Sequence, residues 1–361
     1  MATEIPPPSN ETTIYTYHLT SPPGPAHRTR DILARLRPHL PSSLPLYRRL
    51  QTGRFSDTSL ALSNLDLDQA PAPAPDPAAA DGGTTPEIFA FVDRGARPET
   101  EVYLFGSWES GGEAEGAHDG RSDGLVRALV RAMERSRGRT GCCAADGARA
   151  ETLAENQGPG RYSRDEYGGH AGDPNIMLWG AVHERTAKVL RRLGVVAEQF
   201  KTSLHPNHTF VFELDAMPPA RPLPEGLVWG ELPAKHLGLV RSRTQIPRQE
   251  KTLASLPRLA VYQSSDSDGP PIAWAFVGLD GSLTTLHVEE AWRGKGIAKV
   301  VTHKLFHDYM YRFWDDDGGK RIAHGYVMDG NEASANMCRS LGGKDRWRTY
   351  WVRVDLGKAA M

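Results

Sequence analysis

"VEEAWRGKGIAKVVTHKLF", residues 288–306, joins the end of an apolar run to a turn with two glycines and two bases, and then to an apolar pattern of helical period. A helix start leaves backbone N–H groups unpaired and carries partial positive charge, so it holds an anion when the backbone can approach closely. Gly294 and Gly296 permit that approach, and Arg293 and Lys295 add charge beside it. The turn therefore reads as an anion cradle at a strand-to-helix junction. Two nucleotide motifs fail here. A P-loop needs a lysine and a Ser or Thr after its last glycine, and a dinucleotide fingerprint needs a glycine where Lys299 stands.

Outward from the turn the pattern is regular. Apolar runs at 258–264, 272–280 and 282–290 precede it, a helix runs from Ile297 to about Trp314, and a strand at 321–329, a short helix at 333–342 and a strand at 346–354 follow. Strands, helix, strand, helix, strand makes a mixed α/β layer with at least one parallel crossover. A polar, helix-like stretch covers 232–255. Farther upstream, 87–95 and 100–108 form a hairpin pattern. Leu125, Val126, Leu129, Val130 and Met133 fall on one helical face, 183–194 repeats that period and stops at a glycine, and 208–214 reads as a strand. The four prolines of 215–226 mark the domain boundary, dividing the chain into 1–225 and 226–361. Residues 69–86, 109–124 and 138–170 are rich in Pro, Ala or Gly and poor in apolar side chains, and read as disordered insertions.

Lys plus Arg (43) nearly cancels Asp plus Glu (44), which leaves no basic field for nucleic acid, and none is expected as a partner. Three cysteines, Cys142, Cys143 and Cys338, are too few for a disulfide framework or a zinc knuckle and fit a reducing compartment. No run approaches the length of a membrane span, and the first residues have no signal-peptide pattern. The expected location is the cytoplasm, with the nucleus left open. His205 and His208 have no Cys or carboxylate companions at metal-ligand spacing, so no metal is expected.

The order Arg293-x-x-Gly296-x-Ala298, after a strand ending in Val288 and before a helix, resembles the R/Q-x-x-G-x-G/A signature of the GNAT superfamily of acyl-CoA-dependent N-acyltransferases. "DGNEASANMCRSLGG" (329–343), with Asn331, Ser334 and Leu341-Gly342, is similar to that family's next segment. Gly269, Pro271, Trp274 and the Asp280-Gly281 turn resemble the glycine N-acyltransferase branch. That branch also has an N-terminal half that is a degenerate copy of the fold, and 40–55 and 88–95 are weakly similar to it.

The resemblance implies an α/β GNAT mixed sheet flanked by helices over 226–361, with a degenerate GNAT-like α/β domain over 1–225. It implies an enzyme that moves an acyl group, acetyl by expectation, from acetyl-CoA or another acyl-CoA to an amine of a small molecule or amino acid. A non-catalytic acyl-CoA binder and a protein lysine acetyltransferase are the alternatives. Val288, Arg293, Gly294, Lys295, Gly296, Ile297, Ala298, Asn331 and Ser334 would hold the acyl-CoA, with the Val288 N–H on the oxyanion. The family's glutamate base falls on Ser282 and its tyrosine acid on Cys338. Asp280, on the Ser282 face of its strand, and His287 and Glu289, on the other face, are the remaining candidates for proton transfer, with Cys338 as donor.

Overall fold

Short apolar runs separated by Gly, Pro and polar turns become strands in the computed structural model: β1 (Tyr15–His18), β2 (Ser59–Ser63), β3 (Ile88–Asp93), β4 (Val102–Gly106), β5 (Ile176–His183), β6 (Asn207–Glu213), β7 (Leu227–Gly230), β8 (Arg258–Gln263), β9 (Ala273–Val277), β10 (Ser282–Val288), β11 (Ile322–Met328) and β12 (Lys344–Asp355). Between them lie α1 (Pro25–Leu36), α2 (Leu44–Gln51), α3 (Arg121–Ser136), α4 (Glu184–Arg192), α5 (Leu237–Arg243), α6 (Glu250–Ser255), α7 (Ile297–Tyr309) and α8 (Glu332–Ser340). The structure describes residues 12–20, 25–69, 86–110, 120–136, 169–244, 246, 248–266, 268–314 and 320–360.

The three expected insertions, and with them Cys142 and Cys143, lie outside the described residues except at their edges. Those edges are ordered elements: Glu109 and His170 are buried, and residues 121–124 form the first turn of α3. The helix-like stretch at 232–255 is two short helices, α5 and α6, because Pro247 cannot continue a helix. Among the described residues no helix is long and apolar enough to cross a membrane.

All twelve strands join one sheet in the order β1-β2-β3-β4-β5-β12-β6-β11-β10-β9-β8-β7. The order repeats itself about its centre. In each half three antiparallel steps lead to a short parallel contact, Val102 with Trp179 between β4 and β5, and Ser282 with His324 and Leu283 with Gly325 between β10 and β11. The sixth strand of each half then crosses over. β6 pairs antiparallel with β11 of the second half, β12 pairs antiparallel with β5 of the first, and β6 and β12 pair with each other. The N-terminal half is thus a copy of the C-terminal one, as expected, and the sheet runs unbroken past residue 225.

Alternation along the strands sends side chains to two layers of helices. Leu60, Leu62, Ala90, Val102 and Leu104 pack under α3 and α4, while Ala61, Phe89, Phe91, Tyr103 and Phe105 face α1 and α2. In the second half Leu259, Ala273, Ala275 and Val277 pack under α7 and α8, and Ala260, Trp274 and Phe276 face α5 and α6.

α2 of the first half is clamped on the second half. Arg48 donates from Nη1 to Phe313 O (2.8 Å) and from Nη2 to Ile322 O (3.0 Å), and its guanidinium lies over the Tyr47, Phe313 and Trp314 rings. Gly281, at φ 72°, lets the β9–β10 turn approach it, since a Cβ there would lie 2.9 Å from Arg48 Cβ. Arg48→Met keeps the stem and leaves two carbonyls without their donor, at about 1–3 kcal/mol per orphaned group. A fall in the urea midpoint at unchanged m-value is the expected result, and an unmoved midpoint would show that the clamp carries no stability.

Candidate active site between β10 and β11

β10 does not keep its alternation. Thr284 pairs with Phe276, yet the next partner, Trp274, is met by His287, and the extra residue is absorbed at Thr285 with φ 53°. This is a β-bulge, and it shifts the pattern by one residue. Phe276 and Trp274 share the face toward α5 and α6, so Thr284 and His287 share it too, while Leu283, Leu286 and Val288 pack with the α7 and α8 core. The expectation that His287 stands on the face opposite Ser282 is corrected by this bulge, which depends on the register with β9.

The bulge also ends pairing with β11. Beyond Leu283 and Gly325 no further residues pair, because β10 stays with β9 and β11 is held along its whole length by β6, from Ile322 with Glu213 to Met328 with Asn207. The two strands part, and main-chain groups on the facing edges lose their partners. Glu289 N–H bonds to Ile272 O at 2.8 Å, toward β9. In an extended strand the neighbouring residue points the other way, which aims the Val288 N–H and C=O at the opening. Arg293 Nε takes that carbonyl at 3.0 Å.

At the mouth of the opening the chain turns through Glu290–Trp292 into Gly294 (φ 78°) and Gly296 (φ 80°), and Gly296 begins α7 with no side-chain cap. A Cβ placed on either glycine meets nothing within 4 Å, so the surface above the loop is open, and the positive φ values exclude easy replacement. Lys295 Nζ lies 4.5 Å over the Trp292 ring. Ile297 anchors α7 in the core and Ala298 is half-buried. Loop, glycines and uncapped first turn together fit a phosphate ligand. Asn331 caps α8 by accepting from Ser334 N at 3.2 Å; Asn331 is exposed and Ser334 half-buried.

The proton-handling candidates sit in different surroundings. The His287 ring is stacked on Trp274 at 4.7 Å, with Nε2 buried and 3.7 Å from Glu289 Oε2, beyond hydrogen-bond reach. Burial pulls its pKa below the ordinary value, partly opposed by Glu289 and helped by Arg293 and Arg243. Glu289 is paired with Arg243 at 3.0 Å. Asp280 is buried and accepts from Ser282 Oγ (2.6 Å), Ser282 N (3.2 Å) and the Tyr326 hydroxyl (3.1 Å), which leaves its carboxylate fully engaged. Cys338 is only 2% exposed within the α7 and α8 core, and burial pushes its thiol up to about 12. As a donor it is corrected to a packing residue, because its small volume fills the seam under α8.

A cluster that sequence reasoning missed surrounds Asp280. His324 Nε2 lies 3.1 Å from Tyr326 Oη, and burial pulls His324 down to about 4. Burial, with the Asp280 charge second, raises the Tyr326 and Tyr103 hydroxyls far above the ordinary range. Tyr326 meets the Trp351 ring edge-on at 5.0 Å, and Trp351 Nε1 donates to Thr100 Oγ1 at 3.2 Å. The signal was present as His324 and Tyr326 two residues apart on one strand face, but Tyr103 of β4, Thr100 just before it and Trp351 of β12 are distant in sequence and meet only in the assembled sheet.

His208, set aside as a metal ligand, lies between two carboxylates, 2.9 Å from Asp329 and 2.6 Å from Asp345. Among the described residues no group of three or more His, Cys, Asp or Glu is arranged to hold a metal.

The chain is similar to several solved structures. A Drosophila protein aligns over 90% of this chain and 95% of its own, at 13% identity and a TM-score of 0.51. A GCN5-related N-acetyltransferase from Sphaerobacter thermophilus covers 95% of this chain and 96% of its own (14% identity, TM-score 0.45). A tandem GNAT protein from the clavulanic acid biosynthesis pathway covers 96% and 99% (11% identity, TM-score 0.48). No protein with a curated description matches in sequence. A family model described as the acyl-CoA N-acyltransferase verG N-terminal domain matches residues 12–211, the half of the chain in which the sequence resemblance was faintest. Matched by that model over more than half its length, and with the loop and parted strands of the second half beside it, the chain belongs to this family of acyl-CoA-dependent N-acyltransferases and so to the GNAT superfamily.

Proposed function

We propose that the protein transfers an acetyl group from acetyl-CoA to the amine of a small molecule or amino acid, in the opening between β10 and β11. The observation that carries this reading is the parting of these strands with an open glycine loop at their mouth. The pyrophosphate is assigned to the N–H groups of residues 294–298, and the thioester oxygen to the Val288 N–H. In the first half, the corresponding space after β4 holds the chain's own side chains. A Cβ on Gly106 would collide with the Trp108 ring, Trp108 Nε1 donates to Thr186, and Glu109 is buried beside it with its carboxyl pushed up to about 8.

Transfer needs a neutral amine, whereas free amines have pKa values of about 8 to 10.4. His287 is the group placed to take the proton: it is neutral at pH 7, its buried nitrogen has no hydrogen bond, and it adjoins Val288. The amine nitrogen attacks the thioester carbonyl, its proton passes to His287 Nε2, and as the tetrahedral intermediate collapses the C–S bond breaks and that proton passes from His287 to the departing sulfur, so that CoA leaves as its thiol.

His287→Gln should lower kcat by about 100-fold or more. In the parent protein kcat/KM should fall as pH drops through a value below about 6.5, where the imidazole becomes charged, and the variant should lose that limb. An acid limb that persists unchanged in the variant, or an unchanged kcat in the variant, would remove His287 from the role. The reading as a whole is tested by thermal unfolding with and without acetyl-CoA while thiol release is followed across a set of amines. Stabilisation with release is expected. Stabilisation without release under any amine would favour a non-catalytic binder, and no stabilisation would overturn both.

A further inference from the structure

Among the described residues, several arginines withdrawn from solvent have partners that fit a guanidinium. Arg48 holds two carbonyls, Arg97 holds Glu101 and three carbonyls, Arg258 holds four, Arg185 holds Trp108 O, and Arg241 and Arg348 meet carboxylates. Arg248 differs. It is half-buried, and its hydrogen bonding among the described residues is a single long contact, Nη2 to Thr284 Oγ1 at 3.4 Å. A planar fork with five donors is left with one weak acceptor.

Its place in the fold is not incidental. The neighbouring Gln249 is buried and pinned to the first half, its N–H to Glu99 Oε1 at 2.7 Å and its amide nitrogen to Arg97 O at 3.3 Å. That anchorage sets Arg248 against Thr284, the last residue of β10 before the bulge. Thr284 and His287 share one face, as the pairing with Phe276 and Trp274 shows. Three residues of strand separate them by about 10 Å at most. This distance accommodates an acceptor whose amine and carboxylate lie a few bonds apart, with a hydrogen bond at each end. Among the described residues the nearby carboxylates have other partners, Glu289 in Arg243, Glu99 in the Gln249 N–H at one oxygen, and Asp280 in Ser282 and Tyr326, and none of them is paired with Arg248.

We infer that Arg248 is the specificity-determining residue of the acceptor site and binds a carboxylate carried by the amine. The inference rests on the proposed acetyl transfer and narrows its acceptor. An acyl-CoA whose acyl group ends in a carboxylate would present the same chemistry from the donor side, and the test separates the two.

Thiol release from acetyl-CoA is measured with aliphatic and aromatic amino acids and with their amides, on the full chain and on Arg248→Gln and Arg248→Lys. In parallel, binding of each acid and amide to the CoA-saturated protein is measured by calorimetry, which reads Arg248 whether or not turnover occurs. The parent should prefer acids over amides by about 10- to 100-fold, the worth of one charge-assisted contact. Arg248→Gln should erase the preference through KM or Kd, and Arg248→Lys should restore part of it. Equal handling of acid and amide by the parent in both assays would overturn the inference while leaving the proposed transfer intact. So would a parent that prefers succinyl-CoA over acetyl-CoA and loses that preference in Arg248→Gln. Acetyl-CoA stabilisation retained in both variants shows that they fold.

Discussion

A chain that ends after Gly343 should lose the structure of both halves, although only residues of the second are removed. β12 is bonded along one side to β5 and along the other to β6, and β5 is buried at all eight positions. Without β12 the first half loses Val352, Val354, Leu356 and Ala359 from its own core, and β5 becomes an open edge. A loss on that scale exceeds the roughly 5–15 kcal/mol that holds a domain together. Far-UV circular dichroism and limited proteolysis would show no resistant fragment from the first half. Co-expression of 1–218 with 219–361 should instead recover a complex, because each piece carries the strand the other lacks. A protease-resistant, folded fragment 1–218 on its own would mean that the exchange of β6 and β12 is dispensable.

The second large effect is expected at Gly296→Asp. The open space at its Cβ position means that no steric clash with the protein follows, and the positive φ costs about 1–2 kcal/mol, a tolerable loss. Function responds far more. A carboxylate set among the N–H groups at the start of α7 repels the pyrophosphate that those groups are proposed to bind. Acetyl-CoA at 100 times its dissociation constant should stabilise the parent by about 2.7 kcal/mol and the variant not at all. Gly296→Ala, with the same strain and no charge, separates the two causes by keeping a weakened response. Full stabilisation of Gly296→Asp would place the phosphates elsewhere.

Much of the second half is legible in the sequence because its signals are local. Apolar runs bounded by turn residues give β8 to β11, and two glycines flanked by bases mark the loop before α7. What escaped depends on distant partners. The bulge at Thr285 follows from register with β9, and nothing in "SLTTLHVEE" announces that His287 returns to the face of Thr284. β5 escaped for another reason. "IMLWGAVH" is a continuous apolar run that passes into α4 with no turn residue between them, so periodicity alone does not separate strand from helix there. The exchange of β6 and β12 is a long-range choice between equivalent edges, so a boundary at 225 read from four prolines carries no trace of it. Asp280 was legible as a carboxylate near the right strand. Its role changed once Tyr326, Ser282 and the neighbouring Tyr103 showed it to be engaged rather than free.

The pseudo-symmetry of the sheet leaves two openings between parallel strands, and the proposed chemistry belongs to the one between β10 and β11. A crystal structure of the full chain with a non-hydrolysable acyl-CoA thioether decides this directly. The predicted result is a pyrophosphate on the backbone N–H groups of residues 294–298, with the thioether between β10 and β11 facing Val288 and within reach of His287. A ligand lodged between β4 and β5, displacing Trp108, would contradict it.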